Sequence, residues 1–352
     1  MKLRFALVGC GRIVDKHADA LKNHIDNATL VSVCDKIIEK AQKTGEKYGV
    51  PYYQSYDEML SKEDVDVVAI LTESGNHAKH AIDIVNKYHK HIVVEKPMAL
   101  TLDDADNMIE TCAKNHVKLF VVKQNRYNLP VIRLRKALDD GRFGKIVLGT
   151  VRVRWCRHQK YYDQDSWRGT WALDGGVFTN QASHHIDLLE WMLGDPVSVF
   201  AKSRTSLVDI ETEDTGVAII TFKSGALGIV EATTATRPKD LEGSLSILGE
   251  KGSVVIGGFA VNQTEVWNFE DHIPEDDDID SLTEMPPNVY GFGHVRYLEN
   301  VCDAIINKKK ALVDGMEGRR SLELINAIYE SVETGKEVFL QFKPKRCKLG
   351  RS

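Results

Sequence analysis

The sequence predicts an α/β protein in two parts: an N-terminal parallel sheet layered with helices, then a C-terminal α+β domain built on an open, mostly antiparallel sheet. Short β-branched runs alternate with polar-apolar helical stretches through the first third of the chain, the pattern of a parallel sheet covered by helices. After Gln124 the rhythm changes to long stretches of alternating apolar and polar residues, as in half-buried antiparallel strands. The length, 352 residues, exceeds what a single core usually fills. We place the division so that the domains cover 1–122 and 123–352.

The first strands fall at 3–8, 29–34, 67–71, 92–94 and 119–122, separated by helical stretches such as 36–48 and 102–115. Right-handed crossovers bring the carboxyl ends of such strands to one edge of the sheet, where ligands bind. The second part predicts strands at 146–155, 197–206, 216–222 and 226–234, interrupted by a helix over 180–193 and an acidic, proline-bounded loop over 274–287. Adjacent carboxylates from Glu275 to Asp278 cannot all face one ion, so this run reads as a solvated loop. Helices over 294–307 and 317–334 close the chain.

Composition narrows the class. Hydrophobic residues make up 43% and charged residues 28%, the balance of an ordinary globular protein. A net charge of −5 lacks the positive excess that phosphate backbones require, so no nucleic-acid partner is expected. No run is long enough to span a membrane, and Met1 to Val8 holds too few apolar residues for a secretory signal; a cytoplasmic protein is expected. Six cysteines without a C-x-x-C pair indicate neither a disulfide framework nor a metal site. The basic end, Lys343, Lys345, Arg346, Lys348 and Arg351, reads as a solvated terminus.

Gly9-Cys10-Gly11 follows the first strand and opens a helix, the context of a Rossmann dinucleotide turn. Gly9 permits the tight turn and Gly11 lets the backbone approach a pyrophosphate at the helix N-terminus, while Val14 occupies the place of the third small residue. Asp35 closes the second strand, where a carboxylate accepts the ribose hydroxyls and repels a 2′-phosphate; NAD is therefore expected rather than NADP. A helix N-cap is the structural use of the same residue. Arg12, Ile13, Thr72 and Glu95 are assigned to the same cofactor site.

Glu95-Lys96-Pro97 ends the 92–94 strand, at the sheet edge where a nicotinamide lies. Desolvation and the oxidised ring's charge would lower the pKa of Lys96, suiting it to proton exchange with a hydroxyl; outside that context it would be a surface lysine paired with Glu95. Asp174-Gly175-Gly176 precedes a second constellation, in which Asn180, His184 and Asp187 share one face of the expected helix. An amide, an imidazole and a carboxylate that orients the ring can together hold a sugar and take its proton. His185 points about 100° away and reads as structural, and metal binding by adjacent helical histidines is disfavoured. Arg152, Arg154, Arg157, Lys160 and Arg168 interleave with Trp155, Tyr161, Tyr162, Trp167 and Trp171. Guanidinium forks suit carboxylates or phosphates and rings suit sugar faces, although subunit interfaces use the same residues.

Together Gly9-Cys10-Gly11, Glu95-Lys96-Pro97 and His184 with Asp187 three places later resemble the glucose-fructose oxidoreductase and inositol dehydrogenase family, over nearly the whole chain. The resemblance implies an NAD-dependent sugar dehydrogenase, with Lys96 and His184 at the reacting hydroxyl, His77 beside the cofactor, and a homodimer or homotetramer assembled through the second sheet. Many members carry an Asp where this chain has Asn180, which cannot carry a proton, so the base role falls on His184 or Lys96. Asn125-Arg126-Tyr127-Asn128, Tyr161-Tyr162, Trp167-Arg168-Gly169-Thr170-Trp171 and Asn180-Gln181 look like a narrower branch, the UDP-N-acetylglucosaminuronic acid 3-dehydrogenases, which make sugar precursors of bacterial surface polysaccharides such as lipopolysaccharide O-antigen. That branch implies a UDP-sugar uronate substrate held by Arg126, Tyr127, Arg154, Arg157, Tyr162, Arg168, Asn180 and Asp187, with bound NADH reoxidised by 2-oxoglutarate. A free-sugar or inositol dehydrogenase is the alternative within the same chemistry. An NAD-binding sensor without catalysis is the alternative of another class, disfavoured by the presence of both Lys96 and His184.

Overall fold

The computed structural model describes residues 2–284 and 292–340; the basic end at 343–351 and the close of the acidic loop lie outside the described residues. Six parallel strands form the first sheet: β1 (Leu3–Val8), β2 (Ala28–Cys34), β3 (Tyr52–Tyr53), β4 (Val67–Ile70), β5 (His91–Val94) and β6 (Leu119–Val121). Their order is β3-β2-β1-β4-β5-β6, the doubly wound arrangement whose strand order reverses at β1 and β4 and leaves a crevice there. Every residue of β4 is fully buried, as expected of a parallel strand covered on both faces. The short edge strand β3 escaped the sequence reading because two tyrosines carry no period.

Helices α1 (Val14–Asp19), α2 (Ile38–Tyr48), α3 (Tyr56–Lys62), α4 (His77–Tyr88) and α5 (Leu102–Lys114) connect these strands. Two more, α6 (Leu129–Asp139) and the short α7 (Gln159–Tyr162), lead into the second part. Its sheet has eight strands: β7 (Ile146–Arg154), β8 (Pro196–Arg204), β9 (Thr215–Phe222), β10 (Leu227–Thr233), β11 (Glu242–Gly249), β12 (Gly252–Gly257), β13 (Gln263–Phe269) and β14 (Val338–Phe339). All neighbours are antiparallel except β7 and β10. Strands β11 to β14 were not anticipated, because their glycines and polar residues interrupt the alternation.

One face of this sheet packs on α8 (Ser183–Leu193) and α10 (Gly315–Thr334). The other face leaves Phe200, Val217, Ile219 and Leu227 exposed. A further helix, α9 (Gly293–Ile306), buries Tyr297, Leu298 and Val301 in the core of the first sheet, whereas Leu324, Ile325 and Ile328 of α10 belong to the second core. The closing helices thus tie the two sheets together and fix the cleft between them.

Every residue of α8 except Trp191 is buried, including Glu190. Burial pushes the Glu190 carboxyl up to about 8, against the opposing charge of Arg320 at 3.4 Å. A carboxyl raised in the fold contributes stability that is complete below its unfolded value of about 4.5 and is lost as pH climbs through about 8. Glu190→Gln removes that loss: thermal unfolding at pH 8 should show the variant more stable than wild type by on the order of 2 kcal/mol, with a much smaller difference at pH 5.

Candidate functional site

The cleft runs along the carboxyl edge of the first sheet, has a volume of about 1590 Å³, and is lined by residues of both domains. Its first half is built by the turn after β1. Gly9 adopts φ +104°, and a Cβ there would stand 2.8 Å from the Leu71 backbone, so only glycine fits; at Gly11 a Cβ would meet open space. The Asp35 carboxylate accepts from the main-chain N–H of Cys10 at 2.7 Å and of Ile37 at 2.9 Å. It therefore braces the glycine turn from the wall of the cleft; the helix that follows starts after Ile37 and takes no side-chain cap, so the N-cap use of Asp35 is not realised. Arg12, Ile13 and Thr72 line the same half. The Arg12 guanidinium lies 5.1 Å from the Tyr161 ring across the cleft, and the Thr72 hydroxyl is 3.1 Å from His80 Nδ1.

At the other end stand Glu95, Lys96, Asn180 and His184. Lys96 Nζ donates to the main-chain oxygen of Asn180 at 2.7 Å. Burial lowers the Lys96 pKa, while the carboxylates of Glu95 and Asp174 oppose the shift. His184 is held well below the ordinary imidazole range, chiefly by burial and then by the charges of Lys96 and Lys123, so its ring is neutral at physiological pH. His77 sits at the cleft wall with Nδ1 2.7 Å from the Pro97 carbonyl and Nε2 3.0 Å from the Thr72 carbonyl. It joins the loops after β4 and β5, the direct use of its ring nitrogens in the fold.

The helix expected over 180–193 begins at Ser183, so Asn180 lies in the preceding turn and does not share a helical face with His184. Asp187 likewise departs from its expected role. Both its oxygens are taken by Arg126 at 2.8 Å, with Lys123 Nζ 3.6 Å away, so it does not orient the His184 ring. Arg126 and Asp187 form a buried pair behind the cleft rather than a substrate contact. A long, charged side chain in an Arg-aromatic pattern gives no sequence signal for whether it faces a ligand or a buried carboxylate.

The basic cluster divides in the same way. Arg157 and Arg168 line the cleft with Trp155, Tyr161 and Trp167. Arg157 pairs with Asp240 at 2.8 Å, Arg168 with Asp165 at 2.9 Å, and both guanidiniums lie over the Tyr161 ring, at 5.5 and 4.9 Å. Arg154 instead forks onto Glu231 and Glu242 on the uncovered sheet face. Tyr162 is buried with its hydroxyl on Thr234, and Tyr127 is buried against Tyr297 with its hydroxyl on Asn300. Neither of these tyrosines, nor Arg154, contributes to the cleft lining.

Several cleft residues were not assigned to the site from sequence. Gln124, and Gln181, which the sequence marked only as part of a resemblance motif, line the cleft, each with a buried side-chain oxygen that has no partner in the fold. His17, on α1, donates from Nε2 to Glu95 at 2.8 Å, and His294, at the start of α9, lies 3.8 Å from the same oxygen. Among the described residues these three form the one group with metal-ligand types close together, and the direct hydrogen bond already accounts for their closeness. Lys123 is buried with Nζ 2.7 Å from Ser321. A histidine one helical turn past the glycines could have been flagged; the glutamines carry no such signal.

Comparison with known proteins matches residues 3–123 to the oxidoreductase family's NAD-binding Rossmann fold and residues 135–340 to its C-terminal alpha/beta domain. Myo-inositol 2-dehydrogenase of Thermotoga maritima is 30% identical over 258 residues, covering 72% of this chain and 74% of the relative. D-glucoside 3-dehydrogenase of Escherichia coli is 26% identical, covering 96% and 97%. Among solved structures, the WlbA dehydrogenase from Bordetella pertussis in complex with NADH and UDP-GlcNAcA superposes with a TM-score of 0.93 at 43% identity, covering 97% of this chain and 99% of that one.

Asp35→Ser is expected to weaken NAD binding and narrow the preference over NADP, because lost ribose contacts and lost repulsion of a 2′-phosphate act together. A loss on the order of 1.5–3 kcal/mol for a charge-assisted bond should appear in calorimetric titrations; unchanged affinity for both cofactors would remove Asp35 from the site.

Proposed function

The chain belongs to this oxidoreductase family (GFO/IDH/MocA), a family of NAD-dependent dehydrogenases acting on sugar CH–OH groups, and from that starting point we propose that it oxidises C3 of a UDP-N-acetylhexosaminuronate. The observation that carries this reading is the 43% identity, over nearly the whole length, to a dehydrogenase solved with NADH and UDP-GlcNAcA. The cleft supports it: Arg12, Arg157 and Arg168 converge on Tyr161, and although Asp240 and Asp165 hold the latter two, the three guanidiniums present donor forks that suit a diphosphate. Fewer arginines face the cleft than the sequence implied, yet these three stand where the two domains meet.

The residues present fit NAD. Gly9 and Gly11 leave the backbone open to a pyrophosphate, Asp35 is braced for ribose hydroxyls, and Glu95 and Lys96 stand at the nicotinamide end. When bound, NAD supplies the hydride acceptor for the carbinol carbon. The protein's task is to place the C3 hydroxyl and remove its proton. Lys96 Nζ, anchored on the Asn180 carbonyl, retains further donors for the hydroxyl oxygen and stabilises the alkoxide as it forms. His184, kept neutral by burial and neighbouring cations, accepts the proton at its cleft-facing nitrogen. Trp155, Tyr161 and Trp167 supply apolar faces for the sugar and base.

In this reading the reduced cofactor is reoxidised by 2-oxoglutarate, which takes the hydride and a proton to become 2-hydroxyglutarate. The product belongs to sugar precursors of a bacterial surface polysaccharide such as lipopolysaccharide O-antigen. The exposed apolar row Phe200, Val217, Ile219 and Leu227 suits a homo-oligomer, dimer or tetramer, formed through the second sheet, and the enzyme is read as cytoplasmic. The inositol and free-sugar dehydrogenase reading is favoured by the Thermotoga maritima relative and makes the opposite substrate prediction.

Lys96→Ala and His184→Ala should each lower turnover by roughly 10²–10⁴-fold in protein that folds and binds NAD. Asn180→Ala should cost less, about tenfold, because its main-chain oxygen, which the substitution leaves in place, receives Lys96. Full activity in His184→Ala would reassign the proton acceptor.

Incubation with UDP-N-acetylglucosaminuronate and 2-oxoglutarate should yield 2-hydroxyglutarate by mass spectrometry, and none without the UDP-sugar. Reduction of bound NAD by the UDP-sugar without 2-hydroxyglutarate would keep the substrate and discard the recycling. No calorimetric binding of a UDP-sugar, with turnover of a free polyol, would establish the inositol-type reading instead.

A further inference from the structure

Asp174 lies in the loop that precedes α8 and is 2% exposed. One of its oxygens accepts from the Gly169 main-chain N–H at 2.8 Å, and the other accepts from the side-chain amide of Asn180. Among the described residues it forms no ion pair within 4.0 Å. A buried carboxylate without a direct counter-ion is expensive, so a purely structural use would be met better by an amide. What distinguishes the position is its neighbour: the main-chain oxygen of Asn180 receives Lys96 Nζ at 2.7 Å, placing a fixed negative charge one residue away from the catalytic ammonium. The turn that presents Asn180 is held independently, since its N–H donates to Gly176 at 2.9 Å and the Tyr329 hydroxyl bonds Gly176, Thr179 and Glu213.

We propose that Asp174 is a positioning residue for the reaction, a buried carboxylate that acts through Asn180 to keep the Lys96 ammonium charged and seated at the Asn180 carbonyl. The proposal rests on Lys96 acting at the sugar hydroxyl, as argued above. The groups that face Lys96 are Glu95 beside it just after β5, Asp174 from the loop, and the cations Lys123 and Arg168, with His184 on α8. Those that face Asp174 are Lys96 and Arg168, with Glu213 and Tyr162 as further titratable neighbours. Burial drives the Lys96 pKa down and the Asp174 pKa up, and their mutual attraction opposes both shifts. Glu95 is committed to His17 and to the Lys96 main-chain N–H, which leaves Asp174 as the carboxylate linked to the seat of the Lys96 side chain.

Asp174→Asn preserves volume and removes the charge. Lys96 then loses its proton at lower pH, so the alkaline fall in turnover should move down by about 0.5–1 unit. At pH 7.5 turnover should drop roughly tenfold while KM for the sugar stays within about threefold, the split expected when an interaction made in the transition state is lost. The exchange Asp174→Asn with Asn180→Asp returns a carboxylate to the same hydrogen-bonded pair, and should restore the alkaline limb and most of the turnover. A merely structural Asp174 would not be rescued by a charge placed at 180. An unshifted alkaline limb in the single variant, or a stable double exchange that recovers neither limb nor turnover, overturns the proposal. If Asp174→Asn does not fold, Asp174→Ser serves: the lost charge should move the limb to lower pH in the same way, and an unmoved limb overturns the proposal. Full turnover in Lys96→Ala would instead overturn the functional reading beneath it, whereas an inactive Lys96→Ala beside an unmoved limb in Asp174→Asn removes only the role of Asp174.

Discussion

The hydrogen bond from Lys96 Nζ to the Asn180 carbonyl joins the edge of the parallel sheet to the loop that feeds α8, and the end of the cleft we propose as catalytic exists only where those two surfaces meet. Each side is fixed separately. On the sheet side, Glu95 is tied to His17 on α1 and to the Lys96 main-chain N–H, and His77 spans the Thr72 and Pro97 carbonyls. On the loop side, Tyr329 of α10 and Glu213 hold the turn from Gly176 to Thr179. The closing helices make the two supports one frame, with α9 in the first core and much of α10 in the second. A reacting hydroxyl needs its proton acceptor and its hydrogen-bond donor in fixed relation to the hydride acceptor, and rigid elements on both sides supply that relation.

Buried charge is the cost of this arrangement and also its means of control. Lys96, Lys123, Arg126, Asp174, Asp187 and Glu190 all lie within or behind the proposed catalytic end, and burial and pairing together set their protonation. Asp187 is forked by Arg126 and held down at about 2, whereas Glu190, three residues on, is pushed up to about 8. His184 stands near the cations and is kept neutral. The same low-dielectric surroundings that make an unpaired charge costly strengthen every contact made to a developing alkoxide.

Much of the fold was legible because hydrophobic period and turn chemistry speak directly: β1 was delimited without error, and the change of rhythm after Gln124 separates the strands of the parallel sheet from those of the mostly antiparallel one. Glycine at positions 9 and 11, Asp35 and Lys96 were legible for a physical reason, since each sits at a sheet edge whose geometry the sequence pattern specifies. The start of α8 was misjudged because Asn180 to Ala182 carry no helix-breaking residue, and with it the shared face of Asn180 and His184. The partners of charged side chains were not legible. Arg126 and Arg154 look like Arg157 and Arg168 in sequence, and all four meet carboxylates of the fold, yet only the last two line the cleft. Contacts of this kind depend on residues far apart in the chain, such as His17 with Glu95 and Glu95 with His294.

The central claim is that the hydride leaves C3 of a nucleotide-linked uronate. UDP-N-acetylglucosaminuronate carrying deuterium at C3 tests it without reference to rates or affinities, by following the label into the nicotinamide with mass spectrometry. The account predicts deuterium in the reduced cofactor from the C3-labelled sugar and none from a sugar labelled at C4 or C5. Transfer from either of those carbons, or transfer only from a labelled free polyol, would contradict it.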